Sequence, residues 1–401
     1  MTRTVTVIGG GPAGMAAALF ASRGGAQVTL LERNEKLGKK LYITGKGRCN
    51  VTNTAENPME SIPRNPRFLH SAFAFWDAKG LRALLAEHGC PTKEERGGRV
   101  FPASDKASDV TRALEKALRL AGVDIRLHTR VPSLAPVPRE GPVIWATGGA
   151  SYPATGSTGD GYALARALGH TVFPPRPSLI PLTTKEAWPR ALAGLSLKNV
   201  RLSARAGKKV LFDGLGEMLF THFGVSGPLV LSMSSHILDA DLSALAVYID
   251  MKPGLSPEQM DRRLTRDLET NPRKRLGSIL PGLVPARMAN FLPDLCGVDG
   301  AKTAAQISRL ERQALGVLLK ALPLPIAGFR PLEEAIITRG GIDVREIDPK
   351  TMMSRKVPGV FFAGELLDVD AHTGGYNLQI AFSTGALAGW SAARQSFSLE
   401  G

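Results

Sequence analysis

The chain has 401 residues, more than one hydrophobic core comfortably supports, so two or three domains are expected. Its 43% apolar and 21% charged composition excludes a disordered chain, and its apolar runs stop well short of a membrane span. A formal charge of +14 favours anionic partners such as dinucleotide phosphates, RNA or a membrane surface. The basic residues are spread along the chain, however, and no run resembles an RNA-binding tail, so charge alone is equally consistent with simple solubility. The three cysteines, Cys49, Cys90 and Cys296, are far apart and no cleavable leader precedes the first strand-like run, which points to the cytoplasm rather than to a disulfide framework.

In chain order, TVTVI at 4–8 is a β-branched run suited to a strand buried on both faces. The segment GGGPAG follows, then an Ala- and Leu-rich helix over 15–23 that stops at Gly24-Gly25. A second β-rich run, 27–31, ends on Glu32, completing a βαβ unit of about thirty residues. Residues 37–53, rich in Gly, Lys and Thr, read as an ordered loop. Helical spacing predicts helices over 68–88 and 105–121, the second capped by Ser104 or Asp105. Strands are expected at 124–130 and 143–146. From Trp188 short alternating runs (200–206, 209–212, 244–249) indicate a β-rich unit, and 256–268 and 300–322 read as helices. After Pro331 the βα texture returns, with a strand at 360–363 and a helix at 378–393. The expected organisation is a dinucleotide-binding domain built from residues 1–187 and 331–401. Between its halves lie a β-rich part, 188–252, and a helical part, 253–330.

Gly9-x-Gly11-x-x-Gly14 sits between strand and helix, with an acid at the end of the next strand. Gly9 permits the tight turn, Gly11 lets the backbone approach a pyrophosphate, and Gly14 lets the helix pack on the strand. The helix N-terminus, opened by Pro12 and Ala13, supplies N–H groups and positive potential. Glu32 falls where a carboxylate takes ribose hydroxyls, and it would repel a 2′-phosphate. Ala146-Thr147-Gly148-Gly149 at a strand end recurs in flavoproteins near the adenosine end of FAD. The segment 361–365, FFAGE, is similar to the strand-Gly-acid segment that holds the flavin ribityl chain. Its acid is Glu365 instead of the commoner Asp, with Asp368 and Asp370 as alternatives. Thr373-Gly374-Gly375-Tyr376-Asn377-Leu378 opens the last helix, whose dipole would stabilise negative charge on a reduced flavin.

Four stretches, KKLYITGKGRCNVTN (39–53), GRVFPASDKASD (98–109), EMLFTHFGVSGP (217–228) and a C-terminal stretch, 338–378, that contains FFAGELLDVDAHTGGYNLQ, together resemble the YhiN/BaiN-like bacterial flavoproteins. The resemblance spans nearly the whole chain. It implies an α/β fold with a split Rossmann-type FAD-binding domain, similar to glutathione reductase, and an inserted β-rich plus helical region. It also implies cofactor contacts from Gly9, Gly11, Gly14, Glu32, Arg33, Lys40, Gly148, Gly364 and Asn377. In the loop Gly45-Lys46-Gly47-Arg48-Cys49-Asn50, glycines such as Gly47 let the backbone lie against a flat ligand, Asn50 closes the loop beside it, and Arg48 and Lys46 would offset phosphate charge.

Three side chains are candidate proton donors: Cys49, for which a small packing residue beside the cofactor is the favoured reading, His222 within THFGVSGP, and His372 beside Thr373-Gly374. No CxxC is present, which excludes a dithiol relay. No cluster has metal-ligand spacing. Without a second GxGxxG unit, NADH or NADPH would have to visit the flavin's own cleft. The resemblance implies three reactions: reduction of a C=C bond in a small molecule, oxidation of an amine, and reduction of uridine to dihydrouridine in 23S ribosomal RNA. The positive charge suits the last. A non-enzymatic FAD-carrying RNA-binding factor is the remaining alternative.

Overall fold

In the computed structural model, which describes residues 3–131 and 141–394, the run TVTVI forms strand β1 (Thr4–Ile8). It pairs in parallel with β2 (Gln27–Leu31), register Thr4↔Gln27 to Ile8↔Leu31. Strands β3 (Asp124–Arg126), β4 (Val143–Trp145) and β5 (Val360–Phe362) complete a parallel sheet in the order β3-β2-β1-β4-β5. Every residue of β4 and β5 is buried, as strands covered on both faces require. Strand β3 is shorter than expected, and β4 and β5 each end one residue early.

Helix α1 (Pro12–Arg23) joins β1 to β2. It begins three residues earlier than its composition predicts, because Pro12 fits the first helical position, where no N–H is needed. Helix α2 (Ala107–Leu120) buries Val110, Ala113, Leu114, Ala117 and Leu118, one stripe at helical spacing. Neither Ser104 nor Asp105 caps it. Asp105 has φ +58° and its carboxylate faces Arg48 and Lys93 instead. The C-terminal helix α3 (Tyr376–Arg394) lies directly on α1. A Cβ on Gly385 or Gly389 would fall 2.1 Å from the Ala13 carbonyl oxygen or 2.0 Å from that of Ala17, so both must be glycine.

The helix expected over 68–88 is broken at Trp76. Trp76 turns extended to lay its ring against Phe20, 4.9 Å between centroids, and Asp77 then caps a new helix, Ala78–Glu87, through the Gly80 N–H. Residues 37–53 contain a 3-10 stretch, Lys39–Gly47, broken by non-helical backbone at Thr44, Gly45 and Lys46, and a short strand, Thr52–Asn53. The hairpin Thr92–Glu95/Arg99–Pro102, helix Asp160–Ala167 and the pair Val172–Ser178/Ile337–Ile342 have no counterpart in the sequence reading. Val172–Ser178 carries three prolines, which a strand with only one partner tolerates.

The chain divides into two compact units, 1–178 with 331–401, and 179–330. The second has a seven-stranded sheet around the long hairpin Ser196–Ala206/Lys209–Thr221, which runs well past the predicted 209–212. Strand residues Leu202 and Ile249 share one hydrophobic cluster with helix residues Leu264, Leu315 and Leu319. Helix Pro257–Glu269 starts at a Ser256–Gln259 capping box. In place of a helix over 300–322, Arg309–Lys320 is helical, started by a Ser308–Glu311 capping box. No helix among the described residues is long and apolar enough to cross a membrane.

Candidate dinucleotide site

In a sheet ordered β3-β2-β1-β4-β5 the connections reverse direction between β1 and β4, and ligands of such folds bind beyond the carboxyl ends of the strands there. Because all five strands are parallel, Gly9, Glu32, Ala146 and Gly364, which follow β1, β2, β4 and β5, lie along one edge. Four segments read separately from the sequence thus come together. At the reversal a Cβ on Gly9 would meet the Ala146 carbonyl oxygen at 2.4 Å, and Gly9 also has φ +106°. Gly14 packs still closer, its imagined Cβ only 1.7 Å from the Gly9 carbonyl oxygen. Gly11 is the opposite case: a Cβ there meets nothing within 4 Å. Gly11 caps α1 without a side chain, and no acid lies in the first turn, so Gly11, Pro12 and Ala13 leave the positive end of the helix unneutralised.

Glu32 is buried, and its two carboxylate oxygens each accept a backbone N–H, from Gly10 at 2.6 Å and from Asn34 at 2.7 Å. It therefore fixes the glycine turn as well as presenting charge beside it. Arg33 bonds Thr158 and reaches Asp160 at 3.4 Å, tying the end of β2 to the 148–160 loop. Gly148, at φ +78°, faces Ser157 there. The hydroxyl of Thr147 is buried with no partner among the described residues.

Lys40 and Glu365 form a mostly buried ion pair at 2.9 Å. Lys40 also donates to Ser151, and the other Glu365 oxygen accepts from Ser151 and from the Thr338 N–H. Gly149 lies against this network, where a Cβ would come within 2.7 Å of Glu365. Both oxygens of Glu365 are thus engaged by protein. Asp368 and Asp370, read as its alternatives, are both buried, and each keeps one carboxylate oxygen without a partner among the described residues. Asp368 accepts from Arg64 at 2.8 Å and Asp370 from Ser178 at 2.8 Å. Burial pushes the Asp370 carboxyl above the usual carboxylate range.

The loop before α3 is held internally. Asn377 pairs with both the N–H and the carbonyl of Ala371 at 2.8 Å, which shapes 371–377 around His372, whose own N–H bonds the Ser61 carbonyl. Gly375 leaves no room for a Cβ against the Thr52 carbonyl, and Asn53 donates to the Gly374 carbonyl. Tyr376 is buried and Leu378 half-buried at the start of α3.

One expectation in the 45–50 loop changes, and another gains support. Arg48 does not stand free to offset a phosphate: its guanidinium pairs with Glu95 and Asp105 and stacks on Phe101, 4.1 Å from the ring centre. Cys49 is fully buried in the hydrophobic core, at φ +60°, and burial pushes its thiol up to about 12. This burial supports the packing reading of Cys49, whose side chain is 0% exposed. At pH 8 roughly one part in ten thousand of such a thiol is ionised. Cys49→Ala should keep turnover within about twofold and cost about 1 kcal/mol of stability. Rapid labelling of native Cys49 by iodoacetamide would contradict this burial. Neighbouring Gly47 is exposed, and Asn50 keeps a buried side-chain oxygen without a partner among the described residues.

His222 is in the other unit. With Phe223 it forms the two-residue turn of the hairpin that pairs Thr221 with Gly224; His222 is exposed there and Phe223 half-buried. Among the described residues no group of three or more His, Cys, Asp or Glu side chains could hold a metal ion.

Several site-shaping residues escaped the sequence reading. Ser151 and Thr338 connect the Lys40–Glu365 pair across 188 and 187 positions through bonds of Thr338 to the Ala150 and Ser151 N–H groups. Gln379 is buried and joins Thr52, Trp76 and Ser383. A Gln among the buried positions of the last helix is the one available signal.

The sequence profile of the HI0933-like protein Rossmann domain matches residues 3–391. A 3-dehydro-bile acid delta(4,6)-reductase of Clostridium scindens is 34% identical over 410 residues, covering 98% of this chain and 99% of that protein. A ribosomal RNA dihydrouridine synthase of Haemophilus influenzae is 31% identical over 407 residues, covering 97% and 98%. The solved 3-ketosteroid delta1-dehydrogenase of Sterolibacterium denitrificans shares the fold, with a TM-score of 0.51 at 13% identity over 98% of this chain and 100% of that one.

Proposed function

The chain belongs to the HI0933-like family of FAD-dependent oxidoreductases, and on that premise we propose that it reduces an activated C=C bond, that of uridine in 23S ribosomal RNA. One observation carries the reaction class. Full-length relatives include one named a 3-dehydro-bile acid delta(4,6)-reductase and one named a ribosomal RNA dihydrouridine synthase, and both names describe a reduction of a C=C bond. The net charge of +14 favours the RNA substrate over a neutral small molecule.

The residues present fit FAD. Gly11 opens onto free space at a helix N-terminus, Glu32 is a buried carboxylate at the end of β2, and Thr147, Asp368 and Asp370 carry buried polar atoms without partners among the described residues. Gly9 to Gly14 would hold the pyrophosphate and Glu32 the adenosine ribose, with Arg33, Lys40, Gly148-Gly149 and Gly364-Glu365 along the rest of the cofactor. Bound FAD would supply the hydride. The N-terminus of α3, free of acids in its first turn, would stabilise negative charge beside the 373–378 segment. His372, in the loop that Asn377 braces, would deliver the proton to the neighbouring carbon. NADH or NADPH would enter the same cleft.

Anaerobic mixing of the holoenzyme with NADH or NADPH should bleach the flavin rapidly; bleaching by an amine alone would favour an amine oxidase instead. A deletion strain should lose dihydrouridine from its 23S rRNA, and full retention there sinks the RNA reading. His372→Ala should keep flavin and its bleaching while substrate turnover falls by about 10² to 10⁴. Unchanged turnover would remove His372 as proton donor.

A further inference from the structure

An open groove of about 410 Å³ lies on the first unit. Arg67, Arg345 and Arg355 line it above Phe68, Val344 and Ile347, which are buried and apolar. The three arginines differ in how they are held. Arg67 is exposed and has no ion-pair partner among the described residues. Arg355 is exposed and its Nε donates to the Ile347 carbonyl at 3.3 Å, which leaves the guanidinium's outer N–H groups to the groove. Arg345 pairs with buried Asp343 at 2.6 Å while its own side chain stays 80% exposed. No acidic residue lines the groove. Asn65, also in the wall, donates to the Asp368 carbonyl at 2.7 Å, so the groove is one side chain away from the segment that leaves β5 past Gly364 and Glu365.

We propose that this groove binds the phosphate backbone of the RNA substrate, next to the base that is to be reduced. The inference rests on the RNA reading of the function. Sequence-specific RNA recognition acts on unstacked single-stranded nucleotides, held by phosphate contacts and by apolar or guanidinium surfaces under the base. Three guanidiniums around an apolar floor of nucleotide size supply both kinds of contact, and Arg suits phosphate because its planar fork can bond two oxygens at once. A neutral small substrate would need none of this charge.

The test compares the holoprotein with its Arg67→Ala/Arg355→Ala double variant; Arg345 is left in place because removing it would strand buried Asp343. Binding to unmodified 23S rRNA transcript is measured over a salt series. The variant should bind at least about tenfold more weakly at physiological salt, and its log K against log[salt] slope should shrink by about 1.4 to 1.8, two phosphate contacts' worth. Thermal stability and flavin bleaching by NADH or NADPH should not change. If the wild type binds the transcript and the variant binds it with the same affinity and slope, the groove proposal fails and the RNA reading stands. If the wild type binds no RNA even at low salt, the RNA reading itself fails and takes the groove with it. Loss confined to phosphatidylglycerol vesicles, with RNA binding intact, would assign the groove to a membrane and overturn the proposal.

Discussion

Gly14→Ala should destabilise the apoprotein by about 3 kcal/mol or more, while Gly11→Ala, three residues earlier, should leave its stability within about 0.5 kcal/mol. The contrast follows from two distances. A Cβ on Gly14 would fall 1.7 Å from the Gly9 carbonyl oxygen, a backbone atom with no rotamer to give. Helix α1 cannot move outward to relieve the clash, because α3 clamps it at Gly385 and Gly389 against Ala13 and Ala17. Alanine's lower unfolded-state entropy returns only about 0.4 to 1 kcal/mol. For a chain of 401 residues a net loss of about 3 kcal/mol lowers Tm by roughly 4 °C. At Gly11 the methyl would instead enter open space, the place a pyrophosphate would take, so FAD affinity should fall by tenfold or more with the fold intact. Differential scanning calorimetry of the apoproteins and flavin titration separate the two effects. Equal stability loss at both positions would refute the assignment of Gly14 to packing and Gly11 to ligand approach.

Glu32→Gln, a swap that looks conservative, should cost about 2 to 3 kcal/mol, and Glu32→Ala about 3. Both carboxylate oxygens of Glu32 accept backbone N–H groups in a buried setting, at 2.6 and 2.7 Å. An amide has one accepting oxygen, so in Gln its NH₂ must face either the Gly10 or the Asn34 N–H, two donors with no acceptor between them. A hydrogen bond to a charged group is worth about 1.5 to 3 kcal/mol, and a buried unsatisfied donor costs a similar amount. Since Gly10 belongs to the glycine turn, loss of this bond should also loosen the turn, and retained flavin should drop well below stoichiometric. Chemical denaturation of the apoprotein isolates the structural part. An unchanged midpoint in Glu32→Gln would show that the carboxylate serves the ligand alone.

The parallel βαβ opening and its glycine turn were legible from the residues alone, because local rules govern both: β-branched residues for a strand buried on both faces, a glycine triplet, and an acid at the next strand end. The sequence also offered candidate flavin segments after the strands that form β4 and β5, and for Cys49 it favoured packing over proton donation. Only the tertiary structure shows the burial that supports packing, since the exposure of a thiol depends on the core it joins, and Cys49 lies fully buried in the first unit's hydrophobic cluster. The same holds for Arg48, whose charge is met by Glu95 and Asp105 from a hairpin the sequence did not reveal. The break at Trp76, against a helical pattern that spans 68–88, is set by a ring that must reach Phe20. Lys40 and Glu365 are 325 positions apart, and no local pattern predicts that they neutralise one another. Periodicity and turn chemistry act over a few residues and so can be read directly. The partner of a charge and the space beside a side chain are fixed by strand order, which here brings four distant loops to one edge of a five-stranded sheet.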